Sequence, residues 1–141
     1  MVLLSYQQYH YHQNNEVSML SYITLGVSDL EKSEAFYNAL LAPLGAKTLI
    51  KMDRIIFIGK SMQEPMISIC VPYNEQDPHP GNGNMFAISP GSKEQVNELH
   101  ALALSLGATC DGEPGQRIPD VFYGGYFKDP DGNKGVFSHF G

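Results

Sequence analysis

The same short pattern is written twice in this chain, and that repetition restricts the fold more than any other feature. In the first half, LSYITLGV (20–27) alternates and is β-branched enough to form a strand. Ser28, Asp29, Leu30 and Glu31 follow as an S-x-x-E capping box, which satisfies N–H groups that a helix start leaves without partners. Tyr37, Leu40, Leu41 and Leu44 then recur at helical spacing, and Pro43 with Gly45 ends the segment. RIIFIGK (54–60) and PMISICV (65–71) read as strands of the same unit.

The second half repeats the order. NMFAISP (84–90) is a strand, and Ser92 to Gln95 is a second capping box with Gln in its last place. Val96, Leu99, Ala103 and Leu106 give the next helix an apolar stripe, which Gly107 closes. The two helix exits match, as Leu44-Gly45-Ala46 and Leu106-Gly107-Ala108. VFYGGYFK (121–128) and KGVFSHF (134–140) supply later strands, and Asp129-Pro130-Asp131-Gly132 between them spells a type I turn. The expectation is an α+β fold of two βαβββ modules, module 1 at about 19–73 and module 2 at about 83–141. A turn-rich linker at 74–82 joins them, and residues 1–18 form a polar extension, poorly ordered or serving as an extra edge strand or dimer arm. Each helix should cover one face of its sheet and leave the other for a shared concave cleft.

Bulk composition narrows the partners. With 141 residues the chain suits one domain with its own core. A net charge of −6, with nine basic residues scattered rather than clustered, argues against nucleic acid and anionic membranes. No apolar run approaches the roughly 20 residues a bilayer crossing requires. The opening MVLLSYQQYHYHQNN lacks the basic flank and apolar core of a secretory signal. Cys70 and Cys110 make neither a disulfide framework nor a zinc motif. A cytoplasmic, reduced protein is expected.

The two modules, read together, resemble the glyoxalase/bleomycin-resistance/extradiol-dioxygenase (vicinal oxygen chelate) family. The stretch 20–46, with Ser33, Phe36 and Tyr37 after V-S-D-L, resembles its opening strand and helix. GNGNMFAI (81–88) resembles the strand that opens its second module, and YGGYFKDPDGNKGVF (123–137) its closing hairpin. The resemblance implies a sheet curled around a pocket. It further implies, in metal-dependent members, a His or similar ligand on each opening strand and a Glu or similar ligand on each closing strand. Carried over position by position, those ligands fall on Tyr22, Met85, Val136 and one of Ser68, Ile69 or Cys70. None of these is a carboxylate or an imidazole, the donors such hard or borderline divalent ions prefer. No metal and no cofactor are therefore expected.

The family's strand faces imply a cleft lined by Tyr22, Thr24, Met85, Ala87, Val136 and Ser138, with Tyr126 joining them. Such a lining suits a small aromatic or amphipathic molecule held by stacking and one or two hydrogen bonds. The alternative is a lyase, isomerase or dioxygenase-type enzyme of the same family, metal-free through Tyr22 or Tyr126 or using another metal shell. The remaining residues with chemistry read blandly. Cys70 is expected as a small buried hydrophobe. His79 falls between linker prolines, His100 is a solvated or boundary residue of the second helix, and His139 lies on the face opposite Val136, while His10 and His12 lie in the extension. Arg54 and Arg117 are the two arginines, either of which could hold an anionic group at the mouth. Family members of this length often pair, so a homodimer is expected.

Overall fold

A computed structural model describes residues 18–141, so the expectations for the extension, His10 and His12 included, lie outside the described residues. The duplicated pattern becomes duplicated topology. Module 1 runs β1 (Tyr22–Gly26), α1 (Leu30–Leu41), a 3₁₀ turn (Ala42–Leu44), β2 (Lys47–Lys51), β3 (Ile55–Gly59) and β4 (Met66–Cys70). Module 2 runs β5 (Phe86–Ile88), α2 (Lys93–Ser105), β6 (Thr109–Ile118), β7 (Phe122–Lys128) and β8 (Lys134–Phe140). The sheet orders are β1-β4-β3-β2 and β5-β8-β7-β6, the same permutation twice. In each, the opening strand lies parallel to the closing one, with Thr24 opposite Ser68 and Ala87 opposite Val136. The remaining pairs are antiparallel.

Alternation puts one side of each strand set under its helix. Ile56, Ile58, Ile67 and Ile69 meet Phe36, Tyr37, Leu40 and Leu41 of α1, while Phe127 and Phe137 meet Val96, Leu99 and Ala103 of α2. Both sets belong to one hydrophobic cluster, bridged by Tyr37 against Phe86. Each large apolar side chain removed from water there is worth about 1.5–3 kcal/mol.

The caps separate the two helices. Ser92 caps α2 as expected, its hydroxyl accepting from Gln95 N at 3.1 Å. The cap of α1 is Asp29, accepting from Lys32 N, and not Ser28. Ser28 is occupied elsewhere: its N–H and hydroxyl both donate to Asp131 Oδ1, at 3.0 and 2.6 Å. Gly45 and Gly107 leave the helical segments at φ of 83° and 110°, a conformation glycine alone adopts at little cost.

The Asp129–Asn133 turn locks the modules together. Asp129 Oδ1 accepts from the N–H groups of Asp131 and Asn133, and Gly132 N closes the turn on Asp129 O at 2.9 Å. Tyr37 Oη, from α1, donates to Asp129 Oδ2 at 2.6 Å, and Asn133 Nδ2 reaches Gly26 O at 2.9 Å. Every hydrogen bond between the two modules, among the described residues, involves this turn. Burial pushes the Tyr37 phenol well above its ordinary range, and the Asp129 carboxylate reinforces the shift.

Candidate functional site

The edge of β1 that does not pair with β4 faces the edge of β5 that does not pair with β8, and no ladder joins them. Between the two edges lies a groove of about 810 Å³. Its first wall carries Tyr22 to Gly26 with Ile58, Gly59, Met66 and Ile67; its second carries Asn84 to Ser89. Leu41, Leu44 and Ala46 reach it from the end of α1, and His79 and Pro80 of the linker reach it from above. The linker can pass this close because Gly26 has no side chain: a Cβ there would stand 3.1 Å from Pro78 Cβ.

The exposed edge of the groove is aromatic and soft. Tyr22 is 47% exposed, with its ring edge-on to Phe57 at 4.9 Å, and Met85 across from it is 49% exposed. Thr24 brings a hydroxyl, fixed by a 2.7 Å hydrogen bond to Ser68 Oγ. Ser68 in turn donates to Ile23 O at 3.1 Å, so that buried hydroxyl is committed to the sheet. The polar end is Lys134, paired with Asp111 at 2.9 Å. A second hollow of about 420 Å³, lined by Asp111, Lys128 and Lys134, shares Pro80, Asn84, Met85 and Lys134 with the groove.

The residues expected to line one cleft thus divide. Tyr22, Thr24, Met85 and Ala87 line the groove. Val136 and Ser138 do not: they are 0% and 3% exposed. They share their sheet face with Tyr126 and Gly124, opposite which they pair, and the Phe122 ring folds over the bare Gly124 and fills the space beside Val136. Tyr126 is half-buried outside the groove, with the Arg117 guanidinium 5.5 Å and the Lys134 ammonium 5.2 Å from its ring centroid. Arg117 is tied to the Glu113 carbonyl, and Arg54 to the Val71 carbonyl with its guanidinium over Tyr73. Cys70 is buried as expected. His100 is neither solvated nor a boundary residue: it is 2% exposed, with Nε2 3.0 Å from Tyr126 O.

His79, Pro80 and Lys134 are lining residues that no periodicity marks. The first two belong to a segment without repeating structure, and Lys134 reads only as a strand end. Turn chemistry at 78–84 signals a connection and says nothing of the surface it crosses.

At the positions where the family implies metal ligands stand a phenol, a thioether and an isopropyl group, at Tyr22, Met85 and Val136, and at the fourth a committed hydroxyl, an alkyl group or a buried thiol, at Ser68, Ile69 or Cys70. That donor set does not fit a carboxylate–imidazole shell.

Comparison with known proteins agrees with the architecture. The family model described as Glyoxalase/Bleomycin resistance protein/Dioxygenase superfamily matches residues 19–137. A glyoxalase/bleomycin resistance protein from Albidiferax ferrireducens T118 is 37% identical, with a TM-score of 0.79, covering 88% of this chain and 100% of its own. A hypothetical protein from S. aureus is 27% identical, with a TM-score of 0.67 and coverage of 86% and 91%. A glyoxalase I variant from Zea mays shares the fold at 22% identity and a TM-score of 0.68, covering 84% of this chain and 43% of its own. No curated protein matches the sequence.

Proposed function

The chain belongs to the Glyoxalase/Bleomycin resistance protein/Dioxygenase superfamily, and from that membership we propose that it binds a small aromatic or amphipathic molecule without using the metal of its metal-dependent relatives. The observation that carries this reading is the groove itself. Tyr22 offers an aromatic face, Met85 and Leu25 an adaptable apolar wall, and Thr24 a fixed hydroxyl. Lys134 and Asp111, at one end, would take the polar part of an amphipathic ligand. A homodimer that covers part of the groove belongs to the same reading, since β1 and β5 each keep one ladder edge unpaired.

A thermal-shift panel of aromatic and amphipathic small molecules tests it. At ligand concentrations of about 100 Kd, binding to the folded state alone adds roughly 2.7 kcal/mol, a shift of several degrees. Tyr22→Ala, which removes a half-exposed ring and its edge-on contact with Phe57, should lower the unliganded melting temperature by only a few degrees and lower the affinity about tenfold or more. A wide panel with no response would sink the proposal. The competing lyase or isomerase reading is met by assaying a hemithioacetal substrate with added Ni²⁺ or Zn²⁺, for which no turnover is expected.

A further inference from the structure

On the far side of module 2 from the groove lining, the helix-covered face of the sheet ends in three side chains of different chemistry. His100 comes from α2, and Cys110 and Glu113 from β6. One donor atom from each lies within 4.8 Å of the others. Cys110 Sγ is 3.6 Å from His100 Nε2 and 3.3 Å from Glu113 Oε1. We infer that His100, Cys110 and Glu113 form a binding site for a borderline divalent cation, Zn²⁺ foremost, at the junction of α2 and the β6 edge.

The separations support a tetrahedral ion. With bonds of about 2.3 Å to sulfur, about 2.0–2.1 Å to imidazole nitrogen and about 2.0–2.2 Å to carboxylate oxygen, tetrahedral ligand atoms stand about 3.4–3.6 Å apart. The two Cys110 edges, 3.6 and 3.3 Å, already match that spacing, and the His100–Glu113 edge, within 4.8 Å, closes by rotation of the exposed Glu113 side chain. The Tyr126 carbonyl, 3.0 Å from the same Nε2, or a water completes four ligands. A nitrogen, a thiolate sulfur and an oxygen together favour zinc-like ions over Mg²⁺ or Ca²⁺, which take oxygen alone.

The backbone is shaped to hold the imidazole there. Gly125, on β7, faces the ring: a Cβ on it would stand 3.2 Å from His100 Cδ2 and 3.0 Å from Pro114 Cγ. The ring is buried, Cys110 half-buried and Glu113 exposed, so an ion could enter from solvent along the β6 edge. Without a cation, Nε2–H donates to the Tyr126 carbonyl and the thiol to Glu113. On binding, the thiol proton leaves to solvent and the imidazole proton moves to Nδ1, freeing Nε2 for the ion. Affinity therefore falls as pH is lowered.

Cobalt titration of the reduced, chelator-treated full-length protein tests the site. Co²⁺ should bind at one equivalent with a near-ultraviolet thiolate-to-metal charge-transfer band, and Zn²⁺ should displace it. Cys110→Ser should abolish the band and Glu113→Gln should weaken Co²⁺ at least tenfold. Both residues are accessible on an edge strand, and far-ultraviolet circular dichroism with an unchanged metal-free melting curve checks that the variants fold. Absence of the band in the wild type, its survival in Cys110→Ser, or an unaltered affinity in Glu113→Gln overturns the inference. Failure of the groove proposal would leave these readouts untouched.

Discussion

Asp129 is 3% exposed and accepts four hydrogen bonds, from two backbone N–H groups, Tyr37 Oη and Asn133 Nδ2. A buried carboxylate tolerates burial only with that degree of pairing. Tyr37→Phe removes one charge-assisted bond, so it should lower stability by about 1.5–3 kcal/mol in urea denaturation. The same tyrosine gives a pH signature. Its folded phenol keeps its proton above the ordinary value of 10.0, where the unfolded phenol loses it, so the unfolded state then binds fewer protons. Stability should stay level below about pH 10 on this account and fall above it, by at most about 1.4 kcal/mol per unit, with a shallower fall in Tyr37→Phe. The turn around Asp129 is legible in sequence, because Asp, Pro and Gly each dictate local geometry. Its partners are not. Ser28 looks like a helix cap, and only the approach of Asp131 from the other module explains why Asp29 does that work instead. His100 is similarly misleading, since a histidine near an apolar stripe carries no mark of whether a strand will cover it.

Helices and central strands follow the apolar periodicity closely, because each buries one continuous face that the sequence must supply. Edge strands carry a weaker signal. β2, beginning and ending in lysine, and β6, with Gly112, Pro114 and Gly115 inside it, escape such a reading. Both are irregular in register, with shifts at Thr48/Ile50 and at three places along β6. Prolines and glycines are tolerated there because an edge needs only one satisfied ladder. The caps offer a measurable contrast at this scale. Ser92→Ala should cost about 1 kcal/mol, read from urea or thermal unfolding, because it strips the acceptor from Gln95 N. Ser28→Ala should act differently, by loosening the contact with Asp131 while α1 keeps its Asp29 cap.

The whole molecule is two copies of one permutation, and the repetition of capped helix and glycine exit announces that from the sequence. The groove between them is only partly announced. Tyr22, Thr24 and Met85 follow from strand position, but Val136 and Ser138 occupy equivalent-looking positions and are buried, with the Phe122 ring over Gly124 filling the space beside Val136. The asymmetry arises because Gly124 leaves room for a large ring that local patterning cannot foresee.

Because the bonds aligning the halves converge on residues 129–133, the gap between β1 and β5 is governed from a spot outside most of its own walls. Substitutions at Tyr22, Thr24 or Met85 can reshape the groove's lining while the frame stays true. Lengthening that five-residue clasp would instead splay the halves apart, altering every lining contact at once.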